Sequence, residues 1–448
     1  MAPWTSPTPP PSPSPPPSTT TSTCSATRWA AGTRSTPVPP PRTGGRTSGR
    51  CPGTSSRAAP ATSPSTRPPP PVRSAPSRAC PTRPTPRRAT PRRPTRKGPT
   101  PTAPAPTAPA PTAPSEKASS VASVRYREAL NQALREEMHR DEAVMLMGED
   151  IGVFNGAFKV TQGLLEEFGE RRVRDTPISE NTIVGMGVGA AMTGLRPVVE
   201  LMTVNFSLLA LDQIVNHAAH IRYMFGGQVK VPLVVRMPQG AGHQLGPTHS
   251  HCFEAIYLHV PGLLVAAPST AADAKGLLKA AIRDDNPVIF IEHEYLYGRR
   301  GEVPEDDDHV QRFGEAAIRR EGSDVTIVGV SRMALTAEQA AETLADEHDL
   351  AAEVLDPRTL RPLDLDTILQ SVHKTNRCVI VEEGWPHGGV GANLAALVQE
   401  QAFDYLDAPV ARVTGADVPM PYSKPLEEIA YPHAPQIVQA ALATLRDV

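Results

Sequence analysis

The chain has 448 residues, with 45 Lys and Arg against 47 Asp and Glu and a formal net charge of −2. Its five cysteines form neither a disulfide framework nor a zinc-binding spacing, which suits a reducing cytoplasm. No apolar run reaches the roughly 18–20 residues that a membrane span needs. We therefore expect a cytoplasmic protein with no membrane partner.

The first 119 residues differ in composition from the rest of the chain. They consist mainly of Pro, Thr, Ser, Ala and Arg, and they contain no acidic residue before Glu116. Because 16 of the Lys and Arg precede Glu116, the remaining 29 face all 47 acidic residues. A segment with so few apolar residues and so much proline cannot bury enough surface to offset its ordering entropy. We predict that residues 1–119 are a disordered tail.

The role of this tail has several possible explanations. A transit peptide needs an amphipathic helix, which so many prolines prevent. The arginines suit an electrostatic arm for nucleic acid, but aromatic residues for stacking are nearly absent. A Pro- and Ala-rich tether would need a folded domain before it, and a misassigned start codon in GC-rich DNA gives the same composition. We favour that last explanation, or a dispensable tail, and expect no nucleic-acid partner.

Residues 120–300 alternate between strand-like and helix-like runs. Predicted strands cover 143–147, 197–202, 231–236, 263–267 and 288–292, and predicted helices cover 124–140, 182–195, 206–224 and 271–283. This alternation is typical of a parallel sheet with helices on both faces. Ligands of such sheets bind beyond the carboxyl ends of the strands. Glu149, Glu180 and the loop that contains His249 all fall at or near such positions.

A second α/β unit follows a polar, acidic segment at 301–314, which we interpret as a linker. In the unit at 315–448, predicted strands cover 325–330, 352–355, 379–382 and 411–414, and predicted helices cover 334–345, 365–373, 390–401 and 434–445. The sequence therefore predicts an α/β protein with two parallel-sheet domains after a disordered tail.

Glu180 stands immediately before an apolar helix that is rich in glycine. Gly185, Gly187 and Gly189 resemble a dinucleotide fingerprint, but the third glycine of that motif would fall at Met192, and the segment is not a strand-to-helix turn. We interpret the glycines as close-packing positions. Two explanations of Glu180 remain: a buried carboxylate that needs a partner, or an acid favoured by the helix dipole.

A cluster of His243, His249, His251 and Cys252 surrounds a glycine-rich loop at 240–248. Zinc is conceivable, but no carboxylate or second cysteine has regular ligand spacing. Histidines at the end of a mobile loop suit proton transfer near neutral pH, although surface histidines without a role are an alternative. Phe206 follows a predicted strand and could stack on a flat ring or simply fill the core.

From about residue 124 to 448 the chain resembles the beta subunits of the thiamine-diphosphate-dependent 2-oxo acid dehydrogenases, of the pyruvate dehydrogenase type. The segments that carry the resemblance are 148–150, 175–180, 202–207, 249–253, 280–287 and 381–384. They lie in order along essentially the whole folded part. One departure from the family is His251, which stands where many relatives have glutamine.

This resemblance implies thiamine diphosphate as cofactor. Glu180 would hydrogen-bond the ring nitrogen of its aminopyrimidine and favour the imino tautomer, whose exocyclic nitrogen removes the thiazolium proton. Glu149 would belong to the polar network beside the ring, and Ile178 and Phe206 would line it and stack on it. His249 would stabilise or protonate the enolate-like intermediate and assist acyl transfer to lipoamide, so Glu180 and His249 are the implied catalytic residues.

The resemblance also implies two metal ions and two partners. A structural potassium ion would be bound largely by backbone carbonyls at Leu233, Ala281, Ile282, Asp284 and Asn286. The chain has no Gly-Asp-Gly motif followed by Asn, so Mg²⁺ and the diphosphate would be held by an alpha subunit in an alpha2-beta2 heterotetramer. The C-terminal domain would pair subunits and dock the dihydrolipoyl acyltransferase core. This chain is then expected to be inactive alone.

The predicted function is thus that of the beta subunit of a pyruvate dehydrogenase, which decarboxylates pyruvate and reductively acetylates lipoyl groups. The alternatives within this class are acetoin and branched-chain 2-oxo acid dehydrogenases. Phe206 and the segment 249–253 favour pyruvate, since branched-chain relatives usually differ at both places. Outside the class, a split transketolase-like enzyme and an Arg-rich nucleic-acid-binding protein are the remaining alternatives.

Overall fold

The computed structural model describes residues 121–306 and 309–446. The predicted tail at 1–119 lies outside the described residues. Within them, no helix is both long enough and apolar enough to cross a bilayer.

A seven-stranded sheet forms the centre of the first domain. Its elements and their neighbours in chain order are β1 (Val121–Arg125), α1 (Tyr126–Arg140), β2 (Val144–Gly148), α2 (Leu164–Phe168), β3 (Val173–Asp175), α3 (Glu180–Met192), β4 (Arg196–Glu200), α4 (Ala219–Met224), β5 (Val234–Gln239), α5 (Glu254–Leu258), β6 (Leu264–Ala266), α6 (Ala271–Arg283), β7 (Val288–His293) and β8 (Arg300–Pro304). Strands β2 to β7 are parallel, in the spatial order β6-β7-β5-β4-β2-β3.

Helices cover both faces of this sheet. Successive residues of a strand point to opposite faces, and along β5 Val234 packs in the cluster beneath α1 and α6, whereas Val235 packs in the cluster beneath α3. Every residue of β5 and β7 is buried, as expected for central parallel strands. Helix α6 begins at a Thr270 cap, whose hydroxyl accepts the backbone N–H of Asp273.

The glycines of α3 serve the close packing that the sequence indicates, with one exception. A side chain at Gly187 would place its Cβ 2.8 Å from Val199 and 3.0 Å from Leu233, so only glycine fits against the sheet there. At Gly185 the nearest atom would be Gln213 Oε1 at 3.3 Å. Gly189 has no described neighbour within 4 Å of such a Cβ, so the interpretation is wrong for that position.

The second domain is built on a five-stranded sheet. Its elements are β9 (Ala317–Arg320), β10 (Val325–Gly329), α7 (Arg332–His348), β11 (Ala352–Asp356), β12 (Thr359–Arg361), α8 (Leu365–Thr375), β13 (Cys378–Val381), α9 (Val390–Ala402), β14 (Ala411–Val413), α10 (Lys424–Glu428) and α11 (Ala434–Thr444). The order is β14-β13-β10-β11-β9, with β9 antiparallel at one edge. The prediction of two parallel-sheet α/β domains is confirmed.

Two strand pairings are not suggested by the sequence, and one of them joins the two domains. β12 leaves the second domain and pairs antiparallel with β6, as the seventh strand of the first sheet. The beginning of the predicted 301–314 linker forms β8, which pairs antiparallel with β1. Val303 is 1% exposed and packs against Ala129 and Ala271, which explains why this acidic segment is a strand at its start.

The predicted helix at 206–224 consists of three shorter segments. A 3₁₀ helix runs from Val204–Ala210, a π-helix from Gln213–Ala218, and α4 completes the run. π-Helical segments are uncommon and occur frequently at functional sites. The 3₁₀ helix packs against α3 and carries Phe206, so this irregular stretch positions one of the predicted site residues.

Candidate active site

Two acidic side chains lie buried at the carboxyl end of the seven-stranded sheet. Glu149 follows directly after β2 and is 8% exposed, whereas Glu180 is the first residue of α3 and is 5% exposed. Burial raises the pKa of Glu149, and the negative charge of Glu180 raises it further. The two carboxylates therefore lie close enough for one to affect the ionisation of the other.

Tight backbone packing places this acid pair. A side chain at Gly148 would lie 2.7 Å from the carbonyl oxygen of Glu200 on the neighbouring strand, so β2 ends in a residue without one. The carboxylate of Asp175, at the end of β3, accepts the backbone N–H groups of Gly152 at 2.6 Å and Val153 at 3.0 Å. These contacts tie the loop after Glu149 to the strand end that leads to Glu180.

Neither acid is fully satisfied by the rest of the chain. Glu149 Oε1 is buried without a hydrogen-bond partner. From the described residues, no hydrogen bond or ion pair reaches the side chain of Glu180. Burying a carboxylate without a partner is costly, and the helix dipole alone does not require burial. The pair therefore forms a site that a ligand with ring nitrogens and amino groups would satisfy.

Phe206 and His249 contact each other through their rings. Their ring centroids are 5.3 Å apart with an interplanar angle of 89°, an edge-to-face arrangement. Both side chains are half-buried. His249 Nδ1 lies 3.0 Å from the hydroxyl of Thr248, which leaves Nε2 for a ligand. The 3₁₀ helix of Phe206 packs against α3, the helix that begins at Glu180.

Ile178 lies at the surface near the acid pair. Its side chain is 82% exposed, although Glu180 two residues later is buried. An apolar residue this exposed beside a buried acid is typical of a surface that another molecule covers. A pocket of about 380 Å³ lies away from this surface and is lined by Tyr126, Arg299 and Arg319.

The remaining members of the histidine cluster have structural contacts. His251 Nδ1 lies 2.6 Å from Asn205 Nδ2 and accepts its N–H, and burial lowers the pKa of His251, which favours the neutral ring. Burial raises the pKa of the Cys252 thiol well above its usual value, and His243 is exposed. No three His, Cys, Asp or Glu side chains in the described part of the chain form a group that could hold a metal ion.

The residues implied for potassium gather between the start of β5 and the end of α6. Leu233 precedes β5, Ala281 and Ile282 lie in the last turn of α6, and Asp284 and Asn286 follow that helix. Asp284 Oδ1 accepts the backbone N–H of Asn286 at 2.7 Å and fixes the turn. Backbone carbonyls are hard oxygen ligands, so the donor set suits an alkali cation.

A guanidinium group already reaches part of this oxygen set. Arg196 Nη1 donates to the carbonyl oxygens of Ile282 at 3.1 Å and Asp284 at 2.9 Å, and Nη2 contacts Asp285 Oδ1 at 2.9 Å. These carbonyls therefore converge on one cationic group. Each carbonyl oxygen has two lone pairs, so a potassium ion would share the oxygens with Arg196, and its binding stays a prediction.

A buried polar cluster beneath the histidine loop was missed by the sequence analysis. His293 Nδ1 accepts the N–H of Tyr295 at 3.2 Å, so its proton resides on Nε2, 2.8 Å from Glu383 Oε2. Burial would raise the pKa of Glu383, but His293, Arg332 and the N–H of Ala241 lower it to about 2. The only local signal was the acidic pair Glu382 and Glu383 directly after a buried strand.

Comparison with known proteins adds to this geometry. Residues 122–300 match the family model "Transketolase, pyrimidine binding domain", and residues 314–437 match "Transketolase, C-terminal domain". The pyruvate dehydrogenase E1 component subunit beta of Rickettsia felis is 54% identical over 314 residues, which cover 70% of this chain and 96% of that protein.

The chain belongs to the family of pyruvate dehydrogenase E1 component beta subunits. Another family member, from Rhizobium meliloti, is 53% identical over 326 residues, which cover 72% of this chain and 70% of that protein. The mitochondrial subunit beta-1 of Oryza sativa subsp. japonica is 54% identical over 318 residues, or 70% of this chain and 85% of that protein. The family thus includes bacterial and mitochondrial proteins.

The beta-subunit family shares its fold with a solved split-gene transketolase, described as an inactive beta4 tetramer. That structure superimposes with a TM-score of 0.59 at 25% identity, covering 72% of this chain and 98% of that one. The sequence identity to this transketolase is about half of the identity to the beta subunits. The transketolase structure therefore supports the fold, and the beta subunits determine the family.

Proposed function

We propose that this chain is the beta subunit of a pyruvate dehydrogenase that uses thiamine diphosphate to decarboxylate pyruvate and to acetylate lipoyl groups reductively. The observation that carries the proposal is the buried acid pair Glu149 and Glu180 at the strand ends of a pyrimidine-binding domain. It is supported by relatives more than 50% identical that are named beta subunits of this enzyme.

In this proposal Glu180 faces the aminopyrimidine. When bound, thiamine diphosphate supplies a carbon nucleophile and an electron sink for decarboxylation. Glu180 contributes a hydrogen bond to the ring nitrogen and shares a proton there, which an unpartnered buried carboxyl group can do. Glu149 stands beside it with a raised pKa, so it retains a proton more readily than an exposed glutamate and limits repulsion within the pair.

Phe206 and His249 are proposed to orient the cofactor ring and the substrate. Phe206 is half-buried and offers its ring beside α3 for stacking, and Ile178 offers an apolar side chain at the rim. His249 is held edge-on by Phe206 and has Nε2 available to donate a proton to the substrate or to assist acyl transfer. Holding such groups in reactive geometry can lower a barrier by several kcal/mol.

The site is proposed to be completed by an alpha subunit in an alpha2-beta2 heterotetramer. The buried Glu180 lies two residues from Ile178, which is 82% exposed, and an exposed apolar side chain beside a buried acid suits a site between chains. The alpha subunit would hold Mg²⁺ and the diphosphate, and the second domain would dock the dihydrolipoyl acyltransferase core. We also propose a potassium ion at the carbonyls near Arg196 and a cytoplasmic location.

Reconstitution tests the proposal directly. The full chain would be titrated with its alpha partner, thiamine diphosphate and Mg²⁺, and carbon dioxide release from pyruvate would be followed. We expect activity only when both chains and the cofactor are present, and loss of activity with Glu180→Gln. Pyruvate turnover by this chain alone, or no turnover by a stable complex, would overturn the proposal. Ketol transfer between sugar phosphates would instead identify a split transketolase.

A further inference from the structure

The loop that carries His249 is held from the second domain. Residues 240–249 form this histidine loop. The backbone N–H of Ala241 donates to Glu383 Oε1 at 2.6 Å. The carbonyl oxygen of Ala241 accepts Arg332 Nη1 at 3.1 Å. Glu383 lies in the loop between β13 and α9, and Arg332 begins α7. Both backbone polar groups of Ala241 are therefore bound by side chains outside the domain that carries the acid pair.

A second anchor is Glu427 in α10. Its side chain is fully buried, and Oε1 accepts the backbone N–H groups of Gly242 and Gln244, both at 3.0 Å. Its Oε2 accepts the side-chain Nε2 of Gln244 at 2.8 Å. No cation among the described residues pairs with this carboxylate. Three N–H groups of one loop therefore satisfy a buried charge, and charge-assisted hydrogen bonds of this kind are the stronger ones.

These contacts hold the loop in a backbone conformation it would not otherwise keep. Gln244 has a φ of +55°, a left-handed conformation that is uncommon for a residue with a side chain. It persists only where surrounding contacts impose it, and here both N–H groups of Gln244 are bound by Glu427. Gly246, with a φ of +79°, then packs against the ring of Tyr422 so closely that no side chain would fit.

The path from this anchor to the catalytic histidine is short. The backbone N–H of His249 donates to the carbonyl oxygen of Gly246 at 3.3 Å, and its ring meets Phe206. The loop thus extends from Glu427 on one side to Phe206 on the other, with His249 at its far end. A displacement of about 1 Å in such a group can reduce a rate by about 100-fold.

We propose that Glu427 is a positioning residue for His249, acting from the second domain through the histidine loop. The inference rests on the role proposed for His249. It assigns to the second domain a part in the reaction, in addition to subunit contacts.

Hydrogen exchange tests the anchor without any need for activity. Glu427→Ala and Glu427→Gln would be compared with Glu428→Ala and Glu428→Gln. Glu428 is the next residue, and its half-exposed side chain contacts Lys424 at 3.8 Å, while its backbone carbonyl, which these substitutions keep, accepts from His433. In the full chain we expect amide exchange at Gly242 and Gln244 to rise at least ~10-fold in Glu427→Ala and less in Glu427→Gln. Unchanged exchange in both Glu427 variants would overturn the proposal.

The kinetics of the complex with the alpha partner test whether the contact made by Glu427 affects the reaction. Glu427→Ala is expected to lower kcat by roughly 10–100-fold, with the apparent affinity for thiamine diphosphate unchanged. In a His249→Ala background the same substitution should cause no further loss, because the residues act through one another. An equal loss in both backgrounds would show a merely structural role and contradict the proposal.

The two experiments also separate this inference from the proposed function. If the wild-type complex does not turn over pyruvate, the proposed function fails, and the exchange measurement alone decides whether Glu427 anchors the loop. If Glu427→Ala does not fold, Glu427→Gln takes its place in both measurements. Its amide keeps one acceptor oxygen but turns an N–H group toward Nε2 of Gln244, so a smaller rise in exchange and a smaller loss of kcat are expected, and unchanged values would overturn the proposal.

Discussion

The negative charge of Glu180 raises the pKa of Glu149, although these residues leave the sheet from two different strands. Parallel pairing of β2 with β3 brings the two strand ends together, with Gly148 opposite Asp175. Two acids that are both buried and lack complete hydrogen bonding tend to differ in protonation, because like charges in a poorly solvated site repel. This relationship places two carboxyl groups in one poorly solvated site, and we propose that they have separate roles.

Replacing Glu180 by Gln should reduce kcat by about 100- to 10,000-fold, since the amide cannot share a proton with the cofactor ring. Glu149→Gln is the matched control: the amide has nearly the shape of the carboxyl group and removes the charge that Glu180 repels, and we expect a loss below about 10-fold. The measurement is pyruvate turnover at saturating cofactor, with cofactor binding followed by calorimetry. Equal losses in both variants would contradict separate roles.

Potassium should stabilise the complex relative to lithium at equal ionic strength. The carbonyl oxygens of Ile282 and Asp284 converge beside Arg196 and can accept a further cation. Thermal unfolding in KCl and LiCl would measure the effect, and each kcal/mol of stabilisation corresponds to roughly 2–4 °C. Arg196→Lys, which keeps the charge but not the forked contact, serves as the comparison. Identical unfolding midpoints in KCl and LiCl would contradict a potassium site.

The stability of the protein should fall as the pH rises from about 4.5 to about 8 through Glu294. This carboxyl group is 3% exposed, and both of its oxygens are buried without partners. Burial, and then the charge of Glu383, raise its pKa to about 8 from 4.5. The folded protein therefore retains a proton that the unfolded chain loses near pH 4.5, so the stabilisation is complete below that pH and is lost by pH 8.

Glu294→Gln should flatten this part of the pH profile and raise the unfolding midpoint at pH 8 relative to the wild type. The contribution of this single group is at most about 1.4 kcal/mol for each pH unit in the window. Thermal unfolding in one-unit pH steps measures it. The exposed Glu302→Gln is the control and should leave the profile unchanged. A Glu294→Gln profile parallel to that of the wild type would show that Glu294 is not protonated.

Removal of residues 1–119 should leave both pyruvate turnover and the unfolding midpoint unchanged. The composition of this segment predicts disorder and no packed contact with the catalytic domains. The truncated and full chains would be assayed with the same alpha partner. A steep salt-dependent affinity for DNA that disappears with the tail would instead support the nucleic-acid alternative.

Much of the first sheet was predictable because its central strands are short apolar runs. β2, β5 and β7 consist almost entirely of buried residues, and such runs between helical segments indicate a parallel sheet. The end of β2 is readable in the sequence, and that is why Glu149 could be placed at the correct edge. Glu180 instead follows β3 (Val173–Asp175), a strand too short for the sequence analysis to predict, and only the helix after it was predicted. The split of the 206–224 helix was not predictable, because 3₁₀ and π segments differ from an α-helix only in hydrogen-bond register.

Long-range contacts account for what the sequence could not give. Glu427 accepts a hydrogen bond from Gln244, 183 residues away in the chain, and neither residue lies in a local sequence pattern that predicts this contact. The same holds for β12, which joins the sheet of the other domain, and for Arg196, which shares oxygens with the predicted potassium set. Local periodicity reports the face that an element buries, but not which distant side chain meets it.

Relative kcat/KM values for alternative substrates test most directly whether this chain serves a pyruvate dehydrogenase. The complex with the alpha partner would be supplied in parallel with pyruvate, 3-methyl-2-oxobutanoate and acetoin, with Glu180→Gln as a blank. We expect a clear preference for pyruvate, and we expect this turnover to disappear in the Glu180→Gln variant. A preference for 3-methyl-2-oxobutanoate or acetoin would contradict the assignment to pyruvate while leaving the role of Glu180 intact.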